Sequence, residues 1–163
     1  MPGFWLLKCE PDVYSIHDLA RDGRTSWDGV RNYQVRNFMR DIMKSGDLGI
    51  FYHSNAEPSG AAGVLEIVRT GLPDPSQFDR ESEYHDPKSD PADPRWVTCE
   101  VGFVEAFPEF VAIERMRGEA VLGGMHVLKR GNRLSITPIT KAEFDVIRAL
   151  GGARQGVRVK ASR

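Results

Sequence analysis

Apolar positions along this chain change their spacing from segment to segment, and the changes mark its elements. Residues 4–10, FWLLKCE, are a nearly continuous apolar run ended by Pro11, which reads as a buried strand with Trp5 as a core side chain. Ser15 with Asp18 three residues later forms a capping box, and Gly23 closes the short helix that follows. Asn32 is a good cap for a helix from Tyr33 to about Lys44, stopped by Gly46. Val35, Phe38, Met39, Ile42 and Met43 fall on one buried stripe of that helix, leaving Tyr33, Arg36 and Arg40 along a flank with Asn37 beside them.

Residues 47–54 and 63–70 read as strands joined by NAEPSGAA. Residues 96–107 alternate, with Val97, Cys99, Val101 and Phe103 on one face. A short helix is expected at about 110–117, then a glycine-rich join, a strand in RLSITPI, and a last helix capped by Thr140 and Glu143 that ends at Gly151-Gly152. Strands outnumber helices and are scattered among them, which predicts a mixed α/β (α+β) barrel-like domain of five to six strands with flanking helices, not a wound parallel sheet. One domain over 1–152 and a basic tail over 153–163 account for the chain.

Residues 72–95 break the pattern, with five prolines and no periodicity. So long an irregular connection is a functional flap or a solvated loop, and Phe78 and Tyr84, leading into Trp96, argue for an ordered flap.

Composition changes this picture little. The 163 residues are 40% hydrophobic and 28% charged, with a net charge of −1, so the chain is no general coat for nucleic acid, which needs many cationic phosphate contacts. Recognition of one nucleotide in a pocket stays open, because 31–44, 115–133 and 154–163 lean basic while 73–105 leans acidic. No run is long and apolar enough for a membrane span, and the first residues lack a basic leader and cleavage site. Cys9 and Cys99 stand alone in apolar runs, so buried reduced thiols and a cytoplasmic protein are expected, taken as a monomer.

Phosphate-cradling, nucleophile-elbow and zincin motifs are absent, and His17, His53, His85 and His126 lack metal-ligand spacing. A site from His53, His85 and Asp86 would need the flap to fold back; no metal and no cofactor is expected. The positive signals are aromatic. Trp27 sits in a turn beside Asp28 and Gly29, Trp96 opens a strand, and Tyr52 with His53 ends another. Flat side chains in such places suit a planar base, although core packing explains a tryptophan equally well.

WLLKCEP, WDGVRNYQVRNF, GDLGIFYHSN, YHDPKS, PRW and LSITPIT occur in the order and spacing of the EVE domain family, and the resemblance covers about residues 3–150. It implies a PUA-like fold, similar to the YTH domains that read N6-methyladenosine, and binding of nucleic acids carrying modified bases, notably modified cytosines. Trp27 would then wall the base, with Asn32 as a base-edge donor or only a helix cap. Lys8 would aim at a carbonyl or phosphate, or sit on a solvated strand face. Tyr52, His53 and Ser54 would lie near the mouth with Trp96, Lys88 and Ser89 would close from the flap, and Arg31, Arg36 and Arg40 would meet phosphates. Cys9 stands where the family more often has serine, and the basic N-terminal extension of nuclear members is missing, as in stand-alone bacterial members.

The expectation is a non-enzymatic module that accepts one flipped modified base, with nucleic acid, DNA or RNA, as partner. Two alternatives stand beside it. One is a hydrolase of modified nucleosides like the ASCH group, using Lys8 and Glu10 as an acid–base pair. The other is an RNA-binding PUA-type module indifferent to modification.

Overall fold

The computed structural model describes residues 3–153; the basic tail expected from 153 onward lies, past its first residue, outside the described residues. The strands are β1 (Phe4–Cys9), β2 (Arg24–Ser26), β3 (Leu48–His53), β4 (Gly60–Pro73), β5 (Val97–Ala112) and β6 (Ile136–Ile139). The helices are α1 (Ile16–Asp22), α2 (Tyr33–Asn37), α3 (Ile113–Arg117) and α4 (Lys141–Leu150). One mixed six-stranded sheet runs β2-β5-β4-β3-β1-β6, with β1 and β3 parallel and every other pair antiparallel. The register shifts repeatedly between β4 and β5, as expected where bulges bend long strands.

Apolar side chains cover both faces. On one face Trp5, Leu7, Phe51, Leu65 and Ile67 pack with Ile16 and Leu19 of α1 and Val35 of α2. On the other, Leu6, Ile50, Tyr52 and Val64 pack with Met116 of α3 and Phe144 and Ile147 of α4. The alternation of Trp5 and Leu7 against Leu6 is the period of two in a strand buried on both sides, which is why FWLLKC carries no regular polar position before Lys8. Both expected capping boxes form, Ser15 with Asp18 and Thr140 with Glu143. Trp5 is core, its indole N–H donating to the Asp47 carboxylate at 2.8 Å.

The expected helix from Tyr33 to Lys44 is corrected. α2 stops at Asn37, and Phe38–Ile42 continue as a π-turn. A π-turn shifts the phase of every later side chain, so Val35, Met39 and Met43 stay buried while Ile42, expected in the same stripe, is 56% exposed. The Thr70 hydroxyl donates to the Met39 carbonyl at 2.5 Å, inside that turn. β5 runs on through Ala112, over the start of the helix expected near 110, and β2 carried no apolar signal at all.

Candidate functional site

β2 is three residues long, yet it determines where Trp27 lies. Arg24, Thr25 and Ser26 pair antiparallel with Gly102, Val101 and Glu100, and the Trp27 N–H continues the ladder to the Cys99 carbonyl at 2.8 Å. The chain then leaves the sheet through Asp28 and Gly29. Gly29 has φ +87°, and a Cβ there would stand 2.7 Å from the Tyr84 ring, so both the backbone and the flap demand glycine.

Beside this turn lies a cleft of about 820 Å³, within the size range of small-molecule sites. β1 supplies Lys8 and Cys9, the turn supplies Trp27 to Asn32, the end of β3 supplies Ser54 and Asn55, the flap supplies Tyr84, and Asn132, Arg133 and Ser135 precede β6. Trp27 is 9% exposed; it packs edge-on against Phe51 at 5.4 Å and also lines the cleft. No described group accepts from its indole N–H. Asn32 caps α2 by accepting from the Val35 N–H at 3.0 Å, which leaves its amide NH2 as the group it can offer a ligand. Lys8 is half-buried and forms no ion pair with a described carboxylate; its Nζ lies 3.5 Å from the Asn132 carbonyl. Burial holds its pKa below the ordinary lysine value. Cys9, expected to be buried, lines the cleft half-buried, and burial pushes its thiol up.

The flap is ordered. Asp74 caps a 3₁₀ turn over Pro75–Phe78, and Asp79, Ser82, Asp86 and Asp90 each accept a hydrogen bond from the backbone N–H two residues on, a chain of Asx and Ser turns that explains the missing periodicity. At its centre Gln77 is fully buried. Its amide donates to the carbonyls of Asp74 and Trp96, and its oxygen accepts from the Ser89 hydroxyl and the Trp96 N–H.

Arg31 ties the flap to the Trp27 turn. Its Nε and Nη2 donate to the Tyr84 carbonyl, Nη1 to the Val30 carbonyl and Asp74, and Nη2 to the Ser76 hydroxyl. A guanidinium has five N–H donors, and those five bonds use them. The same group lies 5.2 Å from the Trp96 ring centroid and 5.6 Å from that of Tyr84. Burial would raise the Asp74 carboxyl, but bonds from Ser76, the Gly29 N–H and Arg31 overcome it and hold the pKa below the usual carboxylate value.

Of the expected pocket residues, the structure therefore brings Lys8, Trp27, Asn32 and Ser54 together and separates the others. Tyr52 lies on the opposite sheet face, where burial pushes its pKa up to about 12. The His53 Nε2 accepts from the Ile16 N–H at 3.2 Å, which serves the start of α1. Lys88 is exposed on the flap away from the lining, Ser89 belongs to the Gln77 network, and Trp96 is buried under Tyr33 with its indole N–H on Asp86. The expected phosphate set also comes apart. Arg31 lines the cleft with its donors spent, Arg36 covers the Tyr33 ring and bonds Asn37, and Arg40 forks onto Asp41. The physical reason is that a guanidinium takes the nearest acceptor the fold offers it. Tyr14, Asn55, Tyr84, Asn132, Arg133 and Ser135 line the cleft without having been singled out as pocket residues; only tertiary structure joins them to β1.

The fold and cleft define a mixed α/β domain with a ligand-sized opening at the WDG turn. The EVE domain family model matches residues 3–150, and the chain belongs to that family. It is 38% identical to thymocyte nuclear protein 1 of Homo sapiens over 164 residues, spanning 90% of this chain and 72% of the human protein. A solved structure from Pseudomonas syringae is 41% identical with a TM-score of 0.86, covering 91% of this chain and 99% of that one. The human THYN1 protein, solved in complex with 5-methylcytosine containing DNA, is 37% identical with a TM-score of 0.84, covering 91% and 97%.

Proposed function

We propose that this protein is a non-enzymatic nucleic-acid-binding module that takes one modified base, a modified cytosine, out of its strand and into the Trp27 cleft. The observation that carries this reading is the convergence of Trp27, the Asn32 amide and the Lys8 ammonium, which has no ion-pair partner among the described residues, on one opening. The relative bound to 5-methylcytosine containing DNA supports the choice of ligand.

Magnitudes constrain the mechanism. Everting a base costs a few kcal/mol, and stacking on one aromatic side chain returns about 1–3 kcal/mol, so affinity has to come from base-edge hydrogen bonds and phosphates. A buried methyl adds only about 0.8 kcal/mol, roughly fourfold. Discrimination must therefore include a penalty on the unmodified base, an ill-filled cavity or a trapped water. Micromolar affinity for a lone site follows.

The chemistry of the lining argues against a nucleoside hydrolase. Lys8 makes no ion pair with Glu10, and the raised thiol of Cys9 is a poor nucleophile. Titration of labelled oligonucleotides, with and without modified cytosine and in DNA and RNA forms, tests the proposal. Modified strands should bind several-fold tighter, and Lys8→Met should weaken both forms. Trp27→Phe, which keeps a ring in the core, should reduce the preference. Equal wild-type affinity for modified and unmodified strands refutes base recognition; equal affinity with RNA favoured points to the modification-indifferent module.

A further inference from the structure

We infer that the phosphates of a bound strand run along residues 129–133, over Lys129, Arg130 and Arg133, and keep away from the flap. This rests on the base-binding reading above and adds the path of the backbone.

Residues 129–133, KRGNR, hold three cations and no carboxylate. All three cations are exposed, and none forms an ion pair with a described carboxylate. The segment is joined to the cleft. Asn132 and Arg133 line it, the Lys8 Nζ reaches the Asn132 carbonyl, and the Lys8 N–H donates to the Ser135 carbonyl at 2.8 Å. Asn132 also shapes the turn by accepting from the Leu134 N–H at 2.8 Å. Lys8 thus continues the positive charge of the lip into the cleft, where the residue flanking an everted base would pass.

The three arginines that follow the Trp27 turn are committed: Arg31 to the flap, Arg36 to Tyr33 and Asn37, Arg40 to Asp41. The flap itself, residues 72–95, carries seven carboxylates against three cations, one of which, Arg95, pairs with Asp86. A polyanion crossing that surface meets repulsion, whereas over 129–133 it meets only positive charge. A chain with net charge −1 can hold a strand in this way because the field that matters is local.

The test is the salt dependence of binding to a single-stranded oligonucleotide bearing 5-methylcytosine, with its unmodified twin. The triple variant Lys129→Gln, Arg130→Gln, Arg133→Gln changes exposed side chains only. Each lost phosphate contact flattens the plot of log affinity against log salt by about 0.7, so three contacts give roughly 2. Both oligonucleotides should weaken in parallel, leaving their ratio unchanged, and the flap control Arg80→Gln, Lys88→Gln should leave the slope alone. An unchanged slope in the triple variant, or the loss appearing in the flap control, overturns the assignment. If wild type binds both oligonucleotides equally, base recognition fails while the slopes still judge the strand path. No binding to either overturns both.

Discussion

Replacing Arg31 separates a structural tie from a phosphate ligand. Its partner Asp74 has a fully buried side chain, while that of Arg31 is 22% exposed. Removing one member of a buried pair costs about 3–5 kcal/mol, because the other charge is left uncompensated. Asp74 would keep its bonds from the Gly29 N–H and from the Ser76 N–H and hydroxyl, which places Arg31→Met near the low end, about 3 kcal/mol. With a urea m-value of about 2 kcal/mol/M, the unfolding midpoint should fall by about 1.5 M. Arg31→Lys should recover only part of this. An ammonium can face Asp74 but cannot also fork onto the Tyr84 carbonyl and Ser76. Hydrogen exchange at the Ser76 and Trp96 amides should quicken in the same variants, since the tie holds the flap that protects them. A midpoint shift below about 0.3 M, together with a salt slope of oligonucleotide binding flattened by one full contact, would show Arg31 to be a phosphate ligand after all.

Three further outcomes follow from the same geometry. Gly29→Ala should lower stability by about 1–2 kcal/mol from the left-handed backbone alone and loosen the flap, because the new Cβ would strike the Tyr84 ring; thermal unfolding and exchange at the flap amides check this. Gln77→Leu should cost about 2–3 kcal/mol, since it leaves the buried Trp96 N–H without an acceptor and removes one donor from each of the Asp74 and Trp96 carbonyls, which keep their backbone partners, whereas Gln77→Glu should recover only the bonds to its oxygen. His53 is held below the ordinary histidine pKa by burial and then by His17, and its Nε2 must be unprotonated to accept from Ile16. Its contribution is therefore complete above pH ~6.5, the unfolded value, and is lost as pH falls from there through the lower folded value. Melting temperature against pH should show that decline, and His53→Gln, which can still accept the N–H, should flatten it.

The mixed α/β class, five of the six strands and both capping boxes were legible because each is written in short-range pattern. A run such as FWLLKC or an S-x-x-D box states its own geometry. β2 was not legible, since its three residues are held by pairing to β5 and carry no apolar period. The π-turn at Phe38–Ile42 was equally hidden: helical periodicity assumes a constant turn, and the change appears only as the exposure of Ile42.

The sequence by itself determined that Trp27 stands in a glycine turn outside any regular element, that Lys8 interrupts an apolar strand, and that Asn32 caps a helix. These are properties of nearest neighbours along the chain. Tertiary structure alone decided which of them meet. It put Tyr52 across the sheet from the cleft through the two-residue alternation of β3, drew Arg31 into the flap by offering it Asp74, Ser76 and the Tyr84 carbonyl, and brought Asn132 and Arg133 to Lys8 by laying β6 against β1. The reason is physical: a polar side chain bonds whatever acceptor the fold places within its reach, and sequence distance carries no record of that placement.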